Sequence, residues 1–141
     1  MAHWLGLDLG TKRAGIALAE TSLGVATPHA VLEAGNRPAL IRSLQQICAD
    51  YAVSRIVVGL PVSLKGEVSI AAKHVMEEVE RLKVAVPCEW VLWDERLSSG
   101  EADRVLLASG MSQTKRREVR DKLAAQRILQ NYIDHFRNRA G

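Results

Sequence analysis

The chain has 141 residues, 48% hydrophobic and 25% charged, which is ordinary for one globular domain with its own core. No apolar run reaches the roughly 18 residues that a membrane-spanning helix needs, and the N-terminus lacks the pattern of a signal peptide. Two cysteines outside any CxxC motif and four histidines without ligand spacing argue against zinc and favour a reducing cytoplasm. We therefore expect one cytoplasmic domain over residues 1–141 with no membrane partner.

The net charge of +3 is unevenly distributed along the chain. Residues 111–141 contain eight Lys or Arg and three acidic residues, whereas residues 1–110 contain eleven basic and thirteen acidic residues. A basic segment on a near-neutral body is typical of proteins that bind a polyanion, although a solvated helix surface is the alternative. Aromatic residues make up only 4% of the chain, too few for a platform that stacks bases.

The first predicted element is a β-hairpin, one face of which, here called the glycine face, carries small residues. Around the turn at Gly10–Arg13, apolar residues alternate with small ones, as paired strands require. Gly6 and Asp8 share a face of the first strand, and Gly15 and Ala17 share a face of the second. Because an ionised group is costly to bury unless it is paired or bound to a metal, Asp8 is a candidate functional carboxylate. The alternative is that Asp8 caps the hairpin.

The later segments alternate between strand and helix. In chain order they are a strand over 25–34, a helix opening at Asn36, a strand over 55–60, a helix ending before Pro87, a strand over 89–93, a short helix from Ser98 to near Gly110, and a final helix from about Arg116 to Arg139. Pro28 places the third strand at a sheet edge, and alternating strands and helices predict parallel pairing. The prediction is an α/β fold, a mixed five-stranded sheet of order βββαβαβαα with helices on both faces.

Two further acidic positions have settings similar to that of Asp8. Asp94 and Glu95 follow the last apolar strand, and ligands gather at the carboxyl ends of strands in open α/β sheets. Since adjacent strand residues point to opposite faces, we expect only one of the two to face Asp8; pairing with Arg96 is the alternative. Asp121 begins the packed stripe of the final helix, and the alanines after it allow that helix to dock on the glycine face of the hairpin. Its alternative role is to complement the helix dipole.

Three converging acids would repel one another unless a cation neutralised them. Oxygen ligands without His or Cys favour Mg²⁺ or Mn²⁺. Two such ions about 3.5–4 Å apart can activate water and stabilise the leaving oxygen of a phosphodiester. The acids therefore predict a two-metal nuclease, and the basic segment over residues 115–122 could hold the flanking phosphates.

Four segments, in matching order and spacing, resemble the YqgF/RuvX family. They are Gly6–Gly15, Val58–Pro61 followed by Lys65–Gly66, Asp94–Ser99, and Lys115–Gln130. Each motif is weak alone, but the four together are specific and span essentially the whole chain.

The resemblance implies an RNase H-like nuclease domain related to Holliday-junction resolvases of the RuvC kind. It implies action either on branched DNA or in 5′-end maturation of pre-16S rRNA, and the second is our main expectation. By the same likeness the catalytic, metal-binding acids are Asp8, Glu95 and Asp121, with Glu95 preferred to Asp94. The expected nucleic-acid contacts are Lys12, Arg13 and Arg96 from the resemblance, and Lys115, Arg116 and Arg117 from the basic segment.

Two other classes of function stay open. One is a non-catalytic RNA-binding assembly factor that retained the fold. The other is a nucleotide-hydrolysing domain of the actin and sugar-kinase superfamily, whose phosphate loop shares the Asp-x-Gly-Thr pattern of Asp8–Thr11 but needs a second domain around the nucleotide. The motifs do not separate RNA from DNA. A resolvase would be a homodimer, because a four-way junction has two equivalent strands to cut, yet the sequence shows no dimer stripe.

Overall fold

The structure, a computed structural model, describes residues 2–61, 69–94 and 112–140. Within these ranges the elements alternate much as predicted. The strands are β1 (His3–Leu9), β2 (Arg13–Glu20), β3 (Val25–Glu33), β4 (Val53–Leu60) and β5 (Glu89–Asp94), and the helices are α1 (Arg37–Tyr51), α2 (Ile70–Ala85) and α3 (Gln113–Ala140). The short helix predicted between Ser98 and Gly110 lies outside the described residues.

The strands form one mixed sheet in the order β3-β2-β1-β4-β5. β1 and β3 each pair antiparallel with β2, whereas β4 runs parallel to both β1 and β5. This confirms the predicted α/β sheet and the edge position of β3. The register of β3 slips by one residue at His29, next to Pro28. A proline has no N–H to donate to the ladder, so edges and bulges are where it is tolerated.

Helices cover both faces of the sheet, and the period-2 alternation of the hairpin decides which residues meet them. The leucines of β1 pack into the larger hydrophobic cluster together with α1 and α2. Its fully buried large side chains include Leu5, Leu7, Ile16, Leu40, Leu44, Ile56 and Leu82. The smaller cluster on the other face joins Ala17 and Val57 to Ala125, Ile128 and Leu129 of α3.

α3 crosses the glycine face of the hairpin at backbone distance. A Cβ built on Gly6 would lie 2.6 Å from the Ala125 carbonyl oxygen, and one on Gly15 would collide with the Asp121 carbonyl oxygen. Both contacts are closer than van der Waals packing allows, so any larger residue at either position would push the helix away. The predicted docking of the final helix on the small-residue face is thereby confirmed.

The start of α3 corrects one sequence-based boundary. We predicted a polar link up to Lys115 and a helix from about Arg116, but the helix begins at Gln113. The Ser112 hydroxyl accepts a hydrogen bond from the Lys115 backbone N–H at 3.3 Å, which is the geometry of a helix N-cap. The prediction was wrong because residues 112–115 are all polar, so hydrophobic periodicity carried no signal there.

Aromatic rings surround Arg55 at the opposite end of β1 from Asp8. Its guanidinium carbon lies 4.4 Å from the centre of the Trp4 ring and 5.3 Å from that of Phe136. It also donates hydrogen bonds to the Glu89 carboxylate, at 2.8 and 3.0 Å, and to the Tyr132 hydroxyl, at 3.1 Å. The charge is therefore neutralised and stacked, which fastens α3 to β1 and β4.

Candidate active site

Asp8 and Asp121 line one small pocket at the end of the hairpin. Asp8 lies near the carboxyl end of β1, directly opposite Gly15 of β2. The backbone of Asp121 occupies the space beside Gly15, so the two carboxylates are brought to the same place. The pocket has a volume of about 260 Å³, and its lining residues are Asp8, Gly10, Thr11, Lys12, Arg13 and Asp121.

The Asp8 carboxylate lies where its negative charge is disfavoured. Burial raises the pKa of Asp8 from its ordinary value of 3.8 to about 6, and the negative charge of Asp121 adds to this effect while Arg120 acts in the opposite direction. Both causes penalise the ionised form of the Asp8 carboxylate. A cation bound in the pocket would reverse the penalty, and carboxylate oxygens are the donors that hard divalent cations prefer. The donor set therefore fits Mg²⁺ or Mn²⁺.

The third predicted acid lies outside the described residues. Glu95 directly follows the last residue of β5, Asp94. Within residues 2–61, 69–94 and 112–140, no group of three His, Cys, Asp or Glu side chains is close enough to hold a metal ion. The structure therefore brings together two of the three predicted acids.

Arg13 forms an ion pair with one of the two acids of the pocket. Its Nε donates a hydrogen bond to Asp121 Oδ2 at 2.8 Å, and the two side chains are 37% and 17% exposed. We predicted Arg13 as a phosphate contact, and its pairing with Asp121 was missed. Nothing in the local pattern signals a bond between residues 108 positions apart.

The other predicted contacts fall into two groups. Lys12 is exposed on the hairpin turn and lines the acid pocket, and Lys115 is exposed in the first turn of α3. Arg116 and Arg117 follow Lys115 in α3, but their side chains are outside the description, as is the whole of Arg96. The basic segment over residues 115–122 therefore lies entirely within the first part of α3 and includes Asp121.

The hairpin turn was predicted at Gly10–Arg13, but its backbone bonds were not, and Lys122 was not among the individually named contacts. Gly10 donates its N–H to the Arg13 carbonyl at 2.9 Å, closing the hairpin turn, and the Lys12 carbonyl accepts from Ala34 N–H at 2.8 Å. These bonds hold the turn against the segment that leads into α1. Lys122 faces this region beside Arg13; its position in the basic segment was the available signal.

Comparison with solved structures identifies the class of fold. The structure described as T. thermophilus RuvC in complex with Holliday junction substrate matches with a TM-score of 0.55 at 9% identity, covering 97% of this chain and 96% of that chain. The Fowlpox virus resolvase with substrate Holliday junction DNA matches with a TM-score of 0.57 at 10% identity, covering 95% and 98%. At these identities the likeness concerns the fold, which is that of the RuvC-like, RNase H-like proteins.

No helix in the described part of the chain is long and apolar enough to cross a membrane.

Comparison of sequences identifies the family. The family model of RuvX, described as a Holliday junction resolvase, matches residues 2–135. A protein of Thermoanaerobacter pseudethanolicus named "Putative pre-16S rRNA nuclease" is 40% identical over 136 residues, covering 96% of this chain and 98% of the relative. A protein of Bacillus licheniformis with the same name is 40% identical over 134 residues, covering 92% and 95%. The chain belongs to the RuvX (YqgF) family.

Proposed function

We propose that the protein is a metal-dependent nuclease that hydrolyses phosphodiester bonds in 5′-end maturation of pre-16S rRNA. The observation that carries the proposal is the convergence of Asp8 and Asp121 in one pocket that Lys12 and Arg13 also line. Acidic metal ligands beside cationic phosphate contacts are the arrangement that phosphodiester hydrolysis needs. The relatives' names supply the substrate. The domain would comprise residues 1–141 and act in the cytoplasm.

In this proposal each residue has a distinct role. Asp8, Asp121 and Glu95 would hold Mg²⁺ or Mn²⁺, and a pair of such ions supplies an activated water and stabilises the leaving oxygen. Lys12 is exposed beside the acids and would bind a phosphate oxygen. Arg13 holds the Asp121 carboxylate in place through the 2.8 Å bond from its Nε. Because α3 rests on the glycine face, the positions of the two acids are set by backbone packing rather than by flexible loops.

A second candidate function is resolution of Holliday junctions. It is favoured by the description of the RuvX family and by fold neighbours whose structures contain junction DNA. Symmetric cleavage of a four-way junction requires two active sites related by a two-fold axis. This function therefore requires a homodimer, which sedimentation of the protein alone and with junction DNA would detect.

Cleavage of matched labelled substrates tests both candidates. The substrates are a pre-16S rRNA 5′ region, unstructured RNA, duplex DNA and a four-way junction, each with Mg²⁺ or Mn²⁺. Wild type is compared with Asp8→Asn. The control variant is Asp50→Asn, which replaces an exposed carboxylate on α1. The proposal is supported if wild type and Asp50→Asn cut the rRNA precursor and Asp8→Asn does not. Paired symmetric cuts in the junction would favour the resolvase, and no cleavage of any substrate would favour the assembly factor.

A further inference from the structure

A second groove opens beside the acid pocket. It has a volume of about 690 Å³ and lies between the hairpin turn, the end of β3 and the first part of α3. Lys12, Arg13 and Lys122 supply three cationic side chains to its walls, whereas Glu33 supplies one anionic side chain. The groove therefore carries a positive potential next to the pocket that contains the two acids.

The ammonium groups of this groove are available to a ligand. Among the residues that the structure describes, neither Lys12 nor Lys122 has an ion-pair partner. Lys12 is exposed and Lys122 is half-buried, and both residues line the groove. Arg13 commits its Nε to Asp121, and its guanidinium has further N–H groups to offer.

The groove and the acid pocket form one continuous track. Lys12 and Arg13 line both, so a strand that runs from the acids into the groove passes these two side chains, and Lys122 lines the groove with them. The β3–α1 connection, which also lines the groove, is tied to the turn by the hydrogen bond from Ala34 N–H to the Lys12 carbonyl. An extended polyanion fits such a track better than a single small anion does, because the cations are distributed along it.

We propose that this groove binds the phosphodiester backbone of a single nucleic-acid strand on one side of the cleavage position, with Lys12 and Lys122 as its phosphate contacts. Arg13 lies at the junction between the groove and the acid pocket and positions the strand where the two meet. The cleavage position rests on the proposed function, whereas phosphate binding in the groove does not depend on it. Because the contacts are cationic side chains, binding is independent of base sequence.

Binding of labelled uridine and thymidine oligonucleotides, measured by fluorescence anisotropy in EDTA over a series of salt concentrations, tests the proposal. The variants are Lys12→Gln, Lys122→Gln and the double variant, and the control is Lys83→Gln, on α2 and paired with Glu80 at 2.8 Å. Each groove variant is expected to weaken binding several-fold and to reduce the slope of log K against log salt by about 0.7. Lys83→Gln is expected to leave affinity and slope unchanged.

The outcomes separate this groove from the nuclease proposal. An unchanged salt slope in the double variant, with an unchanged circular dichroism spectrum, would overturn the groove proposal even if wild type cleaves RNA. Loss of binding in Lys83→Gln as well would overturn it by showing a diffuse charge effect. Similar binding of both oligonucleotides is expected, and binding of RNA alone would contradict recognition through phosphates. A reduced slope together with no cleavage by wild type would support the groove and refute the nuclease.

Discussion

Replacing Asp8 by Asn should stabilise the protein when no metal is present. The Asp8 carboxylate lies in a pocket where burial and Asp121 raise its pKa from 3.8 to about 6. Between these two values the folded state holds the proton more tightly than the unfolded state does. Wild type therefore loses stability as the pH rises through this window, and above pH 6 the full penalty is present. An asparagine removes the charge while retaining nearly the same shape.

The size of the effect follows from the two pKa values. Linkage gives a penalty for the ionised Asp8 of about 1.5 kcal/mol at pH 5 and about 3 kcal/mol at pH 7. The amide of Asn also loses hydration in the pocket, so the net gain at pH 7 is expected to be about 1–3 kcal/mol. For a domain of this size, that corresponds to a rise in melting temperature of about 3 °C or more.

Denaturant unfolding in EDTA at pH 5 and pH 7 measures the predicted difference. The advantage of Asp8→Asn over wild type should grow by about 1.5 kcal/mol between these pH values. The control, Asp50→Asn, should differ from wild type by no more than about 0.5 kcal/mol at either pH. An Asp8→Asn variant that is less stable than wild type, or an advantage that does not change with pH, would refute the argument from burial and repulsion.

Three further predictions follow from the packing and charge of the site. Arg13→Gln should lower the free energy of unfolding in EDTA by about 1–2 kcal/mol, because Asp121 loses its partner. The same variant should show a larger rise in melting temperature on addition of Mn²⁺ than wild type does. A rise equal to that of wild type would contradict the pairing of Arg13 with Asp121. Gly15→Ala should destabilise the protein by about 3 kcal/mol or more. The control, Gly35→Ala, has open space around it and should unfold at nearly the same denaturant concentration as wild type. Equal effects of the two substitutions would show that α3 is not in close contact with Gly15. Arg55→Met should cost about 1–3 kcal/mol in denaturant unfolding and leave oligonucleotide affinity unchanged, and an unaltered midpoint would refute the structural role of the stacked guanidinium.

Local alternation was enough to predict the framework of the site. The leucine face and the glycine face of the hairpin differ at every second residue, so the side on which Asp8 lies could be predicted. The helical spacing after Asp121 likewise predicted which side of the final helix packs inward. Leu129 and Ile133 of α3 are buried on the sheet as well.

Contacts between distant parts of the chain could not be predicted from these patterns. The bond between Arg13 and Asp121 depends on the rotamers of two side chains that meet only in the folded state. The same holds for Cys48 of α1 and Cys88, which are 40 positions apart in the sequence. Their thiols form a hydrogen bond that, together with burial, raises the pKa of Cys88. Glu95 and Arg96 stay predictions.

The contact of α3 with the glycines of the hairpin also determines when during folding the pocket appears. Arg13 and Asp121 are 108 residues apart, so one wall of the pocket belongs to an early hairpin and the other to a late helix. Closing so long a loop is slow compared with forming the hairpin itself. A nascent chain whose α3 is still inside the ribosome has only half of the pocket. Binding and chemistry at this place are therefore confined to chains in which the last layer of the fold has already docked.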